Sequence, residues 1–229
     1  MSIEVGAKSF CWPKGTVVRV LRDFVTLIES EKAMAAEAAA IAASHAGSEE
    51  LYYTDRLDDL TSSWQLDNRL AHARFLLSAP VGEDVDDWLE AEMADVVYWR
   101  HGRRPAPVRD AGRLDEPPGC TDPALACVSR ATFLRLMRDL EMLVVSVHRV
   151  GRDMAELPPA EAAALLAEFC RDWRVFELLA EDAAILSRAL GGAVERALDD
   201  LPVWDAEHPQ PPLAVFASER DRQISSLIG

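Results

Sequence analysis

Seven acidic residues lie within the thirteen positions from Glu83 to Asp95, and no basic residue interrupts them. Glu92 and Asp95 are three positions apart, so both carboxylates share one face if this segment is helical. Paired carboxylates can hold a hard cation such as Mg²⁺, which prefers oxygen ligands. The pattern therefore predicts a candidate magnesium pair, and a solvated acidic helix face is the alternative interpretation.

The residues from Glu92 to Tyr98, EMADVVY, resemble the second metal motif of the MazG-like all-α nucleotide pyrophosphohydrolases. The resemblance implies Mg²⁺-dependent hydrolysis of a nucleoside triphosphate to a monophosphate and pyrophosphate, with Glu92 and Asp95 binding the metal. That family also carries a Glu-x-x-Glu pair on the preceding helix. This chain has Asp55 and Asp58 at that spacing and Glu49-Glu50 without it, so it departs from the family there.

The segment DRLDD at positions 55–59 resembles the Asp-rich motifs of isoprenoid synthases. The resemblance implies Mg²⁺-diphosphate held between two such motifs, and the nearest second cluster here is Asp199-Asp200. The alternative interpretation is a first helical turn, where acidic side chains complement the helix dipole.

Histidines and cysteines offer one further metal hypothesis. His101, Cys120 and Cys127 could together bind zinc, although six residues separate the two cysteines and a zinc knuckle is tighter. The other two cysteines, Cys11 and Cys170, are interpreted as small core residues. No serine or cysteine has a local base, so no catalytic nucleophile is assigned.

A basic, proline-rich segment follows the acidic stretch directly. Residues 100–113 contain five arginines and one aspartate. Arginine forks bind carboxylates and phosphates, and a partly exposed tryptophan at an element end can anchor an interface. The alternative is an arginine loop that folds back on its own acidic helix. The candidate interaction residues are Trp99, Arg100, Arg103, Arg104, Arg109 and Arg113.

The overall charge restricts the class of partner. The 229 residues include 24 Lys+Arg and 39 Asp+Glu, so the formal net charge is −15. This balance excludes a broad basic face for phosphates, and leaves nucleic acid only as a local contact within a complex. No apolar stretch approaches the roughly 20 residues of a membrane span. With no signal peptide evident and four cysteines expected to be reduced, the predicted location is the cytoplasm.

Apolar spacing predicts an all-α antiparallel bundle of about five long helices in a single domain, residues 1–229. The helices span about 16–47, 48–79, 83–99, 129–154 and, after Pro158-Pro159, residues up to Leu190, with a short helical coda to Leu201. No internal repeat is evident. A short strand pair is expected between residues 3–5 and 213–216. The predicted divisions are an N-terminal arm (1–13), helices 1–3 (14–101), a long Pro/Gly/Arg-rich loop (102–128), helices 4–5 (129–201) and a C-terminal tail (202–229).

These features favour a non-catalytic helical protein that binds another protein with a basic surface, because an acidic surface speeds such encounters. An immunity protein, a chaperone and a subunit of a larger assembly all fit. One alternative is the Mg²⁺-dependent nucleotide pyrophosphohydrolase that uses Glu92 and Asp95. The other is a helical subunit of a nucleic-acid-handling complex that contacts phosphates through Arg103, Arg104 and Arg109.

Overall fold

The computed structural model describes residues 9–44, 52–54, 57, 66–82, 85–102 and 122–191. The chain is mostly helical with a small two-stranded antiparallel sheet, as the sequence predicts. The strands are β1 (Ser9–Pro13) and β2 (Leu125–Ser129). The helices are α1 (Lys14–Ser44), α2 (Leu66–Ser78), α3 (Val85–Glu92), α4 (Arg130–Met154), α5 (Pro159–Asp172) and α6 (Val175–Leu190).

The two longest helices, α1 and α4, confirm the predictions made from apolar spacing. Val17, Leu21 and Phe24 recur on one face of α1 and are buried in the core. Phe133, Leu136 and Leu140 do the same on α4. Ser129 caps α4, because its hydroxyl accepts a hydrogen bond from the Thr132 amide at 3.2 Å.

The two strand–helix units are copies of one another, which corrects the expectation that the chain has no internal repeat. Each strand leads directly into its helix, and Cys11 lies 116 residues before Cys127. At this offset residues 11–30 and 127–146 are identical at seven of 20 positions. The shared residues in the first copy are Cys11, Thr16, Arg19, Arg22, Asp23, Leu27 and Ser30. The weak identity explains why the repeat is hard to see in the sequence alone.

The copies extend to the helices that follow. Leu66, Leu70 and Leu77 of α2 correspond to Val175, Leu179 and Leu186 of α6, and all six are buried. Both copies end on a glycine with nearly the same backbone, Gly82 (φ 91°, ψ −153°) and Gly191 (φ 66°, ψ −154°). A positive φ favours glycine at this position. The first repeat therefore runs from β1 to Gly82, and the second repeat from β2 to Gly191.

A local two-fold axis relates the two repeats. Cys11 pairs with Cys127 at the centre of the sheet, and Phe10 and Trp12 pair with Val128 and Ala126. At the offset of 116 residues, Phe10 is equivalent to Ala126 and Trp12 is equivalent to Val128. Each of the two residues therefore pairs with the equivalent of the other, as a two-fold rotation about the cysteine pair requires. The helices follow the same exchange: α1 packs mainly on α6, and α4 packs mainly on α2. Each repeat thus completes the core of the other.

A disulfide joins Cys11 to Cys127 at the centre of the sheet. This corrects two predictions, namely that the thiols are reduced and that Cys11 is a free core residue. It also removes Cys127 from the zinc hypothesis, because a disulfide sulfur has no thiolate to offer a metal. The physical reason is the strand register, which places the two Cα atoms directly opposite each other at 4.1 Å. Cys170 is free and buried, as predicted.

Aromatic side chains fill the core beneath the sheet. Phe10 stacks on Phe133 with ring centroids 3.9 Å apart, and Trp88 of α3 lies 5.6 Å from the same ring. Trp12 is only 1% exposed, and its Nε1 donates a hydrogen bond to the Leu77 carbonyl at 2.9 Å. Trp12 therefore belongs to the core. Trp173 is also buried.

Three predicted boundaries need correction. The third helix ends at Glu92 rather than Trp99, because a turn at residues 93–95 is followed by the non-helical segment 96–99, which includes the β-branched pair Val96-Val97. The fifth helix is two helices, α5 and α6, separated where Arg174 adopts a left-handed backbone with φ of 50°. Part of the predicted loop 102–128 is strand β2. The predicted pairing of residues 3–5 with 213–216 lies outside the described residues, and the single-domain assignment stays a prediction.

Candidate functional site

The carboxylates of the acidic stretch contact arginines of α4. Glu92 forms an ion pair with Arg130, and Asp95 forms one with Arg138 at 2.7 Å. Arg138 also donates a hydrogen bond to the Glu92 carbonyl at 3.1 Å. Because α3 ends at Glu92, Asp95 does not share a helix face with it, and the two carboxylates bind separate guanidinium groups.

The segment after this turn is bound to α4 by its backbone. The Trp99 amide donates to Ser146 Oγ at 3.0 Å, and its carbonyl accepts from Arg149 at 3.4 Å. The Trp99 ring packs edge-to-face against Phe169 and is 5% exposed. Trp99 therefore lies in the core, and the expectation of a partly exposed anchor is wrong for this residue. Arg100 is exposed at the end of the segment.

The remaining predicted interaction residues, Arg103, Arg104, Arg109 and Arg113, lie outside the described residues, as do Asp55 and Asp58. Among the residues that the structure does describe, no group of three or more His, Cys, Asp or Glu side chains is placed to hold a metal ion. The two alternative metal ligands, Glu92 and Asp95, each form an ion pair with an arginine side chain instead.

A pocket of about 420 Å³ lies between the two repeats. The first repeat contributes residues of α1 and of the short helical segment 52–54, and the second contributes residues of α5 and α6. The walls are mainly aliphatic and aromatic, and charged side chains line the rest. The lining residues are Ile28, Glu31, Lys32, Tyr53, Thr54, Ala167, Cys170, Arg171, Phe176, Glu177 and Ala180. Pockets between structural units are common ligand sites.

Two carboxylates, Glu31 and Glu177, and two basic side chains, Lys32 and Arg171, line this pocket. The Tyr53 hydroxyl donates a hydrogen bond to Glu31 Oε1 at 2.8 Å. Burial raises the pKa of the Tyr53 phenol well above its ordinary value, and the nearby Glu31 and Glu177 carboxylates raise it further. Burial likewise raises the pKa of the Cys170 thiol, with a smaller contribution from the same two carboxylates. The carboxylates of Glu31 and Glu177 therefore favour the neutral, protonated forms of the Tyr53 phenol and the Cys170 thiol.

The cations at this pocket each have a carboxylate on their own helix. Lys32 Nζ lies 2.8 Å from Glu29 Oε1, and Arg171 Nε lies 3.6 Å from Asp172 Oδ1. Glu177 is exposed and forms no ion pair with any residue that the structure describes. The pocket thus combines an exposed carboxylate, Glu177, that pairs with no described residue, and a half-buried one, Glu31, that accepts a hydrogen bond.

We expect Cys170 to resist alkylation in the folded protein, because the protonated thiol is a poor nucleophile and only 4% of the residue is exposed. Treatment with iodoacetamide at pH 8, followed by peptide mass mapping, should find Cys170 unmodified. The same treatment in denaturant is the control and should modify it fully. Rapid modification of the folded protein would contradict the buried placement.

Sequence reasoning missed this pocket, because its residues come from four separate segments of the chain. No local motif joins Glu31, Tyr53 and Glu177. The comparison of the two repeats is the signal that could have found it. At the equivalent positions of the other repeat, Val147 stands for Glu31 and Asn68 stands for Glu177.

Comparisons of the chain with protein-family models, with curated proteins and with solved structures find no match.

Proposed function

We propose that this chain is a non-catalytic protein that binds another protein with a basic surface. The proposal rests on a difference among the acidic residues of α3 and the turn after it: some form ion pairs within the protein and others stay exposed. Glu92 and Asp95 contact arginines of α4, whereas Asp87 and Glu90 are exposed and pair with no described residue. The exposed edge of α3 therefore keeps its negative charge for an external partner.

The charge of the whole chain supports the same partner class. A formal net charge of −15 creates a negative field that steers positively charged proteins toward the surface and repels acidic ones. An immunity protein, a chaperone and a subunit of a larger assembly would all use such a surface. The candidate interaction residues that follow α3 along the chain stay part of the proposed contact, namely Arg100, Arg103, Arg104, Arg109 and Arg113.

The test reverses the charge of the α3 edge. We expect the double variant Asp87→Lys/Glu90→Lys to lower the affinity for the partner by about tenfold at low salt. Purification of the tagged protein from its native host, with mass spectrometry, identifies the partner, and titration at two salt concentrations measures the affinity. The screening length of the solution falls to about 10 Å at 0.1 M salt, so added salt should reduce the difference in affinity between the variant and the wild type.

The matched control reverses two exposed acidic residues on α5, Glu161→Lys/Glu168→Lys, and leaves the net charge equal to that of the test variant. This control should bind the partner as tightly as the wild type. Equal loss in both variants would show a response to net charge alone, and recovery of no basic protein would contradict the proposal.

The two alternative functions have less support. Use of Glu92 and Asp95 by a magnesium-dependent pyrophosphohydrolase would require both carboxylates to leave their arginines. A shift of the melting temperature with Mg²⁺ and a nucleotide, abolished by Glu92→Gln, would favour that enzyme. Contact with nucleic acid would depend on Arg103, Arg104 and Arg109, and should then be lost when these become alanine.

The location of the protein also stays a proposal. No helix in the described part of the chain is both long and apolar enough to cross a membrane. The predicted cytoplasmic location is weakened by the Cys11–Cys127 disulfide, because disulfides persist mainly in oxidising compartments. Thiol trapping in intact host cells, followed by fractionation, measures both the location and the redox state.

A further inference from the structure

We propose that the pocket between the two repeats binds an alkylammonium group, that is, a primary amine on an apolar stem. This proposal stands on the pocket alone and does not depend on the protein partner proposed above. The volume of the pocket, about 420 Å³, falls within the range of small-molecule sites.

The two carboxylates of the pocket favour a cation, because its two basic residues, Lys32 and Arg171, each lie beside a carboxylate of their own helix. The exposed Glu177 has no ion-pair partner among the described residues, and Glu31 accepts a hydrogen bond from the Tyr53 hydroxyl. Tyr53 and Cys170 are held in their neutral forms, so they add hydrogen-bonding capacity without positive charge. An ammonium group, with three donors and one positive charge, complements this set.

The walls select the rest of the ligand. Ile28, Ala167, Phe176 and Ala180 line the pocket with aliphatic and aromatic surface. Burial of an apolar stem against such a surface is favourable, because it removes apolar area from water. The same surface provides no ligand atoms for a strongly hydrated metal ion. The described residues also hold no metal-binding cluster. An organic cation therefore fits better than an inorganic one.

The internal repeat supplies an independent argument that these charges are not needed for folding. The two-fold relation makes Val147 the counterpart of Glu31 and Asn68 the counterpart of Glu177, and both counterparts are uncharged. The same architecture is thus built without either carboxylate in the other repeat. The acidic pair belongs to one of two equivalent positions, as a ligand site acquired after duplication would.

The buried thiol gives a second observation that points to a ligand. Cys170 lines the pocket, is 4% exposed, and is the free cysteine among those described. Its Sγ forms no hydrogen bond with a described residue, although the charges of both glutamates act on it. A donor and acceptor of this kind in a pocket wall is suited to contact with a bound polar group.

The experiment uses pentylamine as the probe, with 1-pentanol and pentanoate as neutral and anionic comparators. Titrations of the full chain with pentylamine, measured by calorimetry and by changes in NMR chemical shift, should give a Kd on the order of 1 mM. Binding of pentanol and pentanoate should be at least fivefold weaker. Equal binding of pentanol would overturn the proposal, as would no binding of the amine.

Variants localise the binding to the pocket. Glu177→Gln should weaken pentylamine at least fivefold, and Ala180→Phe, which fills the mouth from an exposed position, should abolish binding. Glu161→Gln removes an exposed carboxylate elsewhere on α5 and should leave the affinity unchanged. Equal weakening by Glu161→Gln would contradict a specific site. Circular dichroism of each variant verifies that it is folded.

A second probe separates the two natural sources of such a group. Nα-acetyl-lysine methylamide presents the same ammonium as a lysine side chain of a protein. Tighter binding of this compound than of pentylamine would assign the pocket to a lysine of a bound protein. Tighter binding of pentylamine or of a diamine would assign it to a free amine, and both outcomes support an alkylammonium site.

Discussion

Replacing Cys11 and Cys127 by serine is expected to lower the free energy of unfolding by about 4–5 kcal/mol. The disulfide closes a loop of 116 residues, and its removal restores to the unfolded chain the entropy that the closed loop denies it. Urea denaturation followed by circular dichroism measures the change. Because whole domains are stable by only about 5–15 kcal/mol, the variant should unfold at much lower urea concentrations.

A reducing agent provides the control for this prediction. It should destabilise the wild type to the same extent, and it should leave the double serine variant unchanged, because that variant has no disulfide to lose. Both proteins carry Cys120→Ser and Cys170→Ala as background substitutions, so that thiol exchange in urea cannot form another pair. A wild type whose stability is indifferent to the reducing agent would contradict the result.

The second large effect concerns a buried ion pair between α1 and α2. Arg69 binds Asp23 where the two residues are only 9% and 7% exposed, and His72 Nδ1 lies 4.0 Å from Asp23 Oδ2. Arg69→Leu should lower the free energy of unfolding by about 3–5 kcal/mol, because it leaves the Asp23 charge buried without its guanidinium. Leucine is the residue at the equivalent position, 178, of the second repeat.

The double variant Asp23→Leu/Arg69→Leu should recover most of this loss, because removal of both charges also removes the cost of burying them. Lys32→Met on α1 is the matched control, because it removes one partner of an exposed ion pair. The Lys32 and Glu29 side chains are 62% and 46% exposed, so the loss should be about 1 kcal/mol or less. Single and double variants of equal stability would show that burial of the unpaired charge is not the cause.

The sequence was most informative where one periodic pattern covers a long helix. The apolar faces of α1 and α4 follow from spacing, since their buried residues recur every three or four positions. The end of α3 could not be predicted in this way. The residues after Glu92 continue a helical apolar pattern, yet the hydrogen bonds of Trp99 to Ser146 and Arg149 hold this non-helical segment against α4. Tertiary contacts overrode the local pattern.

The strands were missed for a related reason. Five residues around Cys11 and five around Cys127 are too short to give a strand signal, and their pairing spans most of the chain. The candidate site shows the same limit. Glu92 and Asp95 were chosen from their spacing, but their partners Arg130 and Arg138 lie some 40 positions away along the chain. Glu31 and Glu177 share a pocket that no local spacing reveals.

The exchange of helices between the repeats has a consequence for synthesis on the ribosome. The buried face of α1 is made first, but α6, its main packing partner, ends at Leu190. The apolar residues of α1 therefore stay uncovered until nearly the whole chain has been translated. Such late, long-range pairing slows folding and prolongs exposure to aggregation. The nascent chain should consequently depend on chaperones far more than a bundle of sequential hairpins would.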